Sequence, residues 1–267
     1  MKTFTRLIKE NIENINIFLE QNKNKYLTEI DENQFNNILN ERCKNYFDVS
    51  KSIKFYRGDS IFKNDYYILN AYNTIPKWSW QSMNLYPLLS FYSSHYWTDK
   101  KLPLKKNSGD MVSDIYTTTM YGETYEVIPL DNPQIVCNNV LFGGNPPKIF
   151  NELFEELNIS HINVFFDDIF EGINLNVYNE EKVIDYINKI NNEFNTKNFI
   201  LLEESRYKYK ILEVMEKNNM SFIELMEYAF SPDNYEIYNY KDITKCSFET
   251  IFAYTNGTLL LRKINKK

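Results

Sequence analysis

The stretch SIKFYRG at residues 52–58 alternates apolar and polar side chains and ends at a glycine, a pattern that predicts a β-strand. The sequence before it has a different period. Apolar residues there recur at helical spacing, namely at Phe4, Leu7, Ile8, Ile12, Ile15 and Leu19. The chain is therefore predicted to change from helix to strand near residue 50.

A second helix is predicted between these two segments. Asp31 is followed three residues later by Gln34, which is a typical N-terminal capping pattern. Apolar residues then continue at helical spacing through Phe35, Ile38, Leu39, Cys43 and Tyr46. Residues 1–50 are thus expected to form an N-terminal helical segment.

Further strands are predicted downstream of this segment. Residues 64–110 are aromatic and interrupted by prolines, and they are expected to be irregular. Residues 113–119 and 123–130 are predicted to be strands joined at Tyr121-Gly122, and residues 135–137 a short third strand.

The C-terminal half begins with a long helical segment and returns to strands. Within residues 148–230, a helical stripe and a capping box that starts at Ser221 predict several helices. Strands are predicted at residues 235–238, 248–254 and 259–262, with Asn256-Gly257 as a hairpin turn between the last two.

These segments predict an α+β fold with four parts. Residues 1–50 are the N-terminal helices, and residues 51–137 form the first half of a β core. Residues 138–230 are a helical insertion, and residues 231–267 supply C-terminal strands that complete the core.

Composition excludes several classes of function for this chain of 267 residues. Two histidines and three widely separated cysteines cannot supply the usual spacing of a zinc site, so no metal is expected. Seven glycines, without a P-loop or dinucleotide motif, argue against a phosphate cradle built from backbone. A net charge of −6 argues against a nucleic-acid partner on electrostatic grounds.

The N-terminal residues and the cysteines bear on localisation. No apolar stretch of seven or more residues occurs at the start, which predicts neither a secretory signal nor a membrane anchor. Unpatterned cysteines are typical of a reducing compartment. A cytoplasmic location without a membrane partner is expected.

Three segments together resemble the mono-ADP-ribosyltransferases. Phe55-Tyr56-Arg57-Gly58 is similar to the first-strand Tyr-Arg-Gly of that class. Residues 115–119, IYTTT, resemble its Ser-Thr-Ser strand, and residues 125–129, YEVIP, resemble the strand that follows. The order of these segments is also similar to a bacteriophage family of RNA-polymerase ADP-ribosyltransferase-like proteins.

The resemblance extends to both sides of these strands. Before them, the aromatic residues 85–97 and the segment PLKKNS at 103–108 are similar to the phage family. Near the C-terminus, residues 230–234 and the segment ETIF at 249–252 resemble its last part, where a glutamate opens a strand. The resemblance covers roughly residues 50–137 and 228–263.

The resemblance implies an ADP-ribosyltransferase-like split β core, NAD as substrate and a three-part site. It assigns the carboxylate near the ribose to Glu249 and the cation for the pyrophosphate to Arg57, and hydroxyls that orient the carboxylate to Thr117 and Thr119. The chemistry needs such groups because cleavage of the bond to nicotinamide passes through a state like an oxocarbenium ion. Aromatic rings that could stack on the nucleotide are those of Tyr121 and Trp97.

The resemblance also implies the partner. It would be a host protein acceptor, either RNA polymerase or another host factor, met in the host cytoplasm or from the virion. Ser247 stands where the transferases carry Glu or Gln two positions before the catalytic glutamate, and Asn107 stands where a basic residue is expected.

These departures motivate alternatives. One is a catalytically inactive descendant of the fold that acts as a virion or host-interaction protein. Another is an unrelated aromatic-rich binding domain, which would be favoured if the site residues lay far apart. Arg57 is also compatible with a simple surface ion pair. Glu126 is the alternative to Glu249 as the catalytic carboxylate.

Overall fold

The computed structural model describes residues 2–73, 85–98, 100–103, 108–139, 168–170, 180–247 and 250–264. Its helices are α1 (Lys2–Asn22), α2 (Glu32–Arg42), α3 (Tyr46–Val49), α4 (Leu85–Tyr96), α5 (Ile115–Thr118), α6 (Glu180–Thr196), α7 (Lys208–Asn218) and α8 (Phe222–Ala229). Its strands are β1 (Leu27–Glu29), β2 (Phe55–Asp59), β3 (Tyr66–Asn70), β4 (Gly109–Val112), β5 (Glu123–Pro129), β6 (Gln134–Asn139), β7 (Glu236–Asn239), β8 (Ile251–Thr255) and β9 (Thr258–Lys263).

The strands in these ranges form one sheet with the order β1-β3-β9-β5-β2-β4-β8-β6-β7. Every neighbouring pair from β1 to β8 in that order is antiparallel. The prediction of a mixed helix and sheet fold is therefore confirmed, with a large antiparallel sheet at its centre.

The last two strands enter this sheet at different places. The predicted hairpin at Asn256-Gly257 is wrong, because β8 pairs with β4 whereas β9 lies between β3 and β5. The turn between them is closed by Thr255, whose hydroxyl accepts from Gly257 N at 3.1 Å and donates to Gln134 O at 2.7 Å. The strands β4, β2 and β5 thus separate β8 from β9.

Local sequence signals explain where two helices begin. The Asp31 side chain accepts a hydrogen bond from Gln34 N, and the Gln34 side chain accepts from Asp31 N, which forms a complete capping box for α2. Ser221 and Glu224 form the same box at the start of α8. Both predicted caps are confirmed.

The predicted strand at residues 113–119 is wrong, because this segment is helical. The Asp114 side chain accepts from Tyr116 N and Thr117 N, both at 3.1 Å, and so caps α5. A 3-10 turn, Thr119–Tyr121, follows directly and leads into β5. The N-cap outweighs the β-propensity of the threonines, and Thr117 and Thr119 do not share a strand face.

The prediction of an irregular segment at 64–110 is also wrong in part. It contains β3, whose residues Tyr67–Asn70 are buried, and β4, which lies between β2 and β8. It also contains α4, where Pro87 occupies the first turn and its missing N–H removes no helical hydrogen bond. Trp78 and Trp80 lie outside the described residues.

The chain divides into two compact units. The first consists of Met1–Ile75, Asn107–Cys137 and Ile237–Lys267 and contains nearly all of the sheet. Its core is built from alternating strand residues such as Phe55, Val127 and Leu261, which face the same side and are almost fully buried.

The second unit consists of Pro76–Lys106 and Asn138–Glu236 and is mainly helical where it is described. The stripe Val183, Ile187, Ile190 and Phe194 of α6 is buried as its helical spacing predicts. This unit contains the predicted helical insertion at 138–230. It also contains residues 76–106, which were predicted to belong to the β core. Of the helices in the described ranges, none has the length and apolarity needed to cross a membrane.

Candidate functional site

Arg57 lies in the middle of β2 rather than at its end, because the strand continues through Gly58 to Asp59. The residue pairs with Tyr125 of β5. Its side chain is 22% exposed, so the guanidinium is largely removed from solvent. A charge in this position needs partners, since burial of an unpaired charge is costly.

The partners of Arg57 are few and distant. Nη1 donates to Asp110 O at 3.5 Å, and Nη2 donates to the Tyr26 hydroxyl at 3.4 Å. Nη2 also lies 3.6 Å from the Asp59 carboxylate, and the buried Nε has no hydrogen-bond partner among the described residues. A guanidinium offers five N–H donors, so Arg57 retains donor capacity for a ligand oxygen.

Tyr26 completes this polar cluster as a neutral group. Burial raises the pKa of its phenol; Arg57 opposes that effect, whereas the charges of Asp59 and Asp110 add to it. The hydroxyl therefore stays protonated and can accept from Arg57 while its own proton remains available as a donor.

The helical segment α5 does not lie on the Arg57 side of the sheet. The position that a Cβ atom would take on Gly58 points at Thr118 O, only 2.1 Å away. Because successive strand residues point to opposite faces, the Arg57 side chain lies on the face opposite to Thr118. The structure therefore does not bring Arg57 together with the predicted threonines.

The threonine hydroxyls of this segment are engaged within it. Thr117 donates to the Asp114 carboxylate at 2.7 Å, and Thr119 donates to Tyr116 O at 2.8 Å. Tyr121, a predicted stacking residue, is exposed at the end of the same segment. These bonds account for the local turn and leave the threonines no described partner near Arg57.

Ser113 is a hydroxyl that the sequence reasoning missed. Its N donates to Ile251 O at 2.8 Å, and its Oγ accepts from Ile251 N at 2.8 Å. These two bonds continue the β4–β8 ladder by one step. Ser113 directly follows Val112, which pairs with Tyr56, the neighbour of Arg57 in β2.

The remaining predicted residues are Glu249 and Trp97. Glu249 lies outside the described residues, although Ile251, two positions later, begins β8. Trp97 belongs to the second unit, where it is fully buried and its indole N–H donates to Phe230 O at 2.9 Å. A ring buried in this way offers no face to a nucleotide.

Glu126, the alternative to Glu249 as the catalytic carboxylate, is buried and paired in a way that is typical of a structural residue. The residue is 4% exposed, and its carboxylate accepts from the Tyr46 hydroxyl at 2.7 Å and from Arg262. Burial alone would raise the pKa of Glu126, but the hydrogen bonds from Arg262 and Tyr46 outweigh it and hold the pKa below its usual range. Glu126 therefore acts as the buried counter-ion of Arg262.

Asp59, Tyr26 and Ser113 were not predicted as site residues, and the sequence indicates them to different degrees. Asp59 is two positions after Arg57, so a strand at this site places both side chains on one face. Tyr26 and Ser113 give no comparable signal, because their contacts depend on strand order. Among the described residues, no group of three or more His, Cys, Asp or Glu side chains could hold a metal ion.

Comparison of the chain with protein-family models, with curated proteins and with solved structures finds no match.

Proposed function

We propose that this protein is an NAD-dependent mono-ADP-ribosyltransferase of the phage effector type, acting on a host protein. The observation that supports the proposal best is the adjacency of β2, β4 and β8 in the sheet. Arg57 lies on the first of these strands, Ser113 follows the second, and Glu249 precedes the third by two residues. The separation of β8 from β9 is consistent with a split β core.

Arg57 would bind the pyrophosphate of NAD. Its planar donors suit two phosphate oxygens at once, and within the described part of the chain its hydrogen bonds are long, at 3.4 and 3.5 Å. Side chains must do this work, because no glycine-rich loop is present in the sequence.

Glu249 would stabilise the positive charge that develops on the ribose as the bond to nicotinamide breaks. Nicotinamide leaves with the bonding electron pair, and the acceptor side chain then bonds to the ribose carbon and gives up a proton. Ser113, which follows β4 and accepts from Ile251 N of β8, replaces the predicted threonines as the hydroxyl beside β8 and would be a positioning residue.

The acceptor would be a side chain of a host protein, with RNA polymerase as one candidate. Ser247, which is exposed, occupies the position that addresses the acceptor in the transferases that this chain resembles. A serine there cannot form the ion pair that a glutamate makes with an arginine acceptor, so we expect an acceptor other than arginine.

A second candidate function is a non-enzymatic interaction protein built on the same fold. The ion contact between Arg57 and Asp59 favours it, because this arginine already has a carboxylate beside it. Tyr116 and Met120 also expose about four fifths of their surface, at 80% and 77%, which suits protein contact. Titration calorimetry with NAD separates the two functions, since an interaction protein gives no binding heat at millimolar ligand.

The decisive experiment measures release of nicotinamide from NAD by purified protein. We expect cleavage by the wild type, a KM about tenfold higher for Arg57→Gln because a charge-assisted hydrogen bond is lost, and a lower kcat for Glu249→Gln. Thr117→Ser and Thr119→Ser serve as matched controls with unchanged rates. Equal rates for the wild type, Arg57→Gln and Glu249→Gln would refute the proposal.

A further inference from the structure

We infer that Asp59 determines which nucleotide Arg57 accepts, by disfavouring ligands in proportion to their negative charge. The inference rests on the proposed function for its ligand class, and the experiment below separates the two. Asp59 and Arg57 occupy alternate positions of β2, so their side chains share one face. The Asp59 carboxylate is 13% exposed and lies 3.6 Å from Arg57 Nη2.

The two carboxylate oxygens of Asp59 contact different groups. Oδ1 accepts a hydrogen bond from Ile61 N at 2.8 Å, which closes the turn after β2. Oδ2 faces Arg57. The turn needs only an acceptor oxygen, and an asparagine carbonyl provides one. The negative charge is therefore not required by the turn and acts on Arg57.

This charge must affect any anion that reaches Arg57. A phosphate oxygen bound to Nη2 would lie a few ångströms from the Asp59 carboxylate, and both groups are shielded from solvent. Like charges at such a distance repel more strongly than they would in water. Attraction to Arg57 is then partly cancelled, and the cancellation grows with the charge of the ligand.

The same electrostatics discriminates between nucleotides. The pyrophosphate of NAD is a diester without a terminal phosphate, and the nicotinamide ring is cationic. ADP and ATP carry terminal phosphates with additional negative charge. Asp59 thus penalises ATP more than NAD, so that a dinucleotide can bind in the presence of mononucleoside polyphosphates.

The test is titration calorimetry of NAD and of metal-free ATP with wild type and Asp59→Asn. The asparagine keeps the acceptor for Ile61 N and removes only the charge. We expect ATP binding to tighten at least about tenfold and NAD binding to tighten by a smaller factor, since juxtaposed like charges cost more than a factor of ten in affinity. The double variant Arg57→Gln/Asp59→Asn should lose the gain.

Asp131→Asn is the matched control, because it removes a carboxylate that pairs with Arg42 instead. Unchanged or equal gains for ATP and NAD in Asp59→Asn would overturn the inference, as would a gain of the same size in Asp131→Asn. A gain that survives the loss of Arg57, or no binding of either nucleotide to any variant, would overturn it too. A selective gain for ATP without NAD cleavage by the wild type would support the role of Asp59 and refute the transferase.

Discussion

Replacing Gly58 with alanine is expected to destabilise the sheet unit by about 3 kcal/mol. A Cβ atom there would lie 2.1 Å from Thr118 O and 2.8 Å from Tyr121 Cβ. The nearest obstacle is backbone, so no side-chain rotation can relieve it. Strand β2 cannot retreat either, because β5 and β4 are paired on its two sides.

Chemical denaturation of Gly58→Ala and Gly109→Ala measures this effect against a matched control. A Cβ on Gly109 would meet Leu259 Cδ1 at 2.6 Å, which is the end of a side chain, and Ala71 Cβ only at 3.2 Å. We expect the control to lose only about 1 kcal/mol because the leucine can adjust. Equal losses in the two variants would show that the contact between α5 and β2 does not constrain Gly58.

Replacing Arg262 with methionine is expected to cost about 2–3 kcal/mol at neutral pH. The variant keeps an apolar chain over Phe35 but leaves the Glu126 carboxylate with Tyr46 and with Lys54 Nζ at 3.4 Å. Removing one partner of a buried ion pair costs about 3–5 kcal/mol. The expected loss is smaller here, because the Arg262 side chain is 39% exposed and partly screened by solvent.

The loss in Arg262→Met should shrink as the pH is lowered. In the wild type the folded pKa of Glu126 lies below its unfolded pKa. Its stabilising contribution is therefore present above the unfolded pKa and is lost as the pH falls through the lowered folded pKa. Without Arg262, burial dominates and the folded pKa of Glu126 rises. A carboxyl with a raised folded pKa destabilises the fold at high pH and is relieved by protonation.

Denaturation at pH 7 and pH 5 measures this prediction, with Arg42→Met as the control. Arg42 binds Asp131 at the surface through bonds of 2.8 and 2.6 Å. Such a surface pair should contribute less than about 1 kcal/mol, with little change between the two pH values. A loss in Arg262→Met that is the same at both pH values would contradict a role for the buried charge.

The helix starts show what can be predicted from the sequence. Asp31 with Gln34 and Ser221 with Glu224 form their capping boxes as expected, because each box joins residues only three positions apart. The strand predicted at 123–130 is observed as β5, Glu123–Pro129, for a similar reason, since its composition and its proline act locally.

The threonine-rich segment shows why a local signal can mislead. Its β-propensity predicted a strand, whereas Asp114 caps a helical turn that Gly58 allows to approach β2 closely. The proximity of Gly58 is invisible in the sequence around Thr117. The hydroxyl assigned to the candidate site changes as a result, from the threonines to Ser113.

The sequence by itself determined the helix caps and the strands β2 and β5, and its composition argues against zinc sites and glycine-rich phosphate loops. These depend on composition and on contacts between near neighbours. Only the tertiary structure decided the strand order, the faces of β2 and the surroundings of Arg57. The partners Tyr26 and Asp110 are 31 and 53 positions away from Arg57 in the chain. Such contacts form only after distant strands join the same sheet, because each strand can pair with many others of similar pattern.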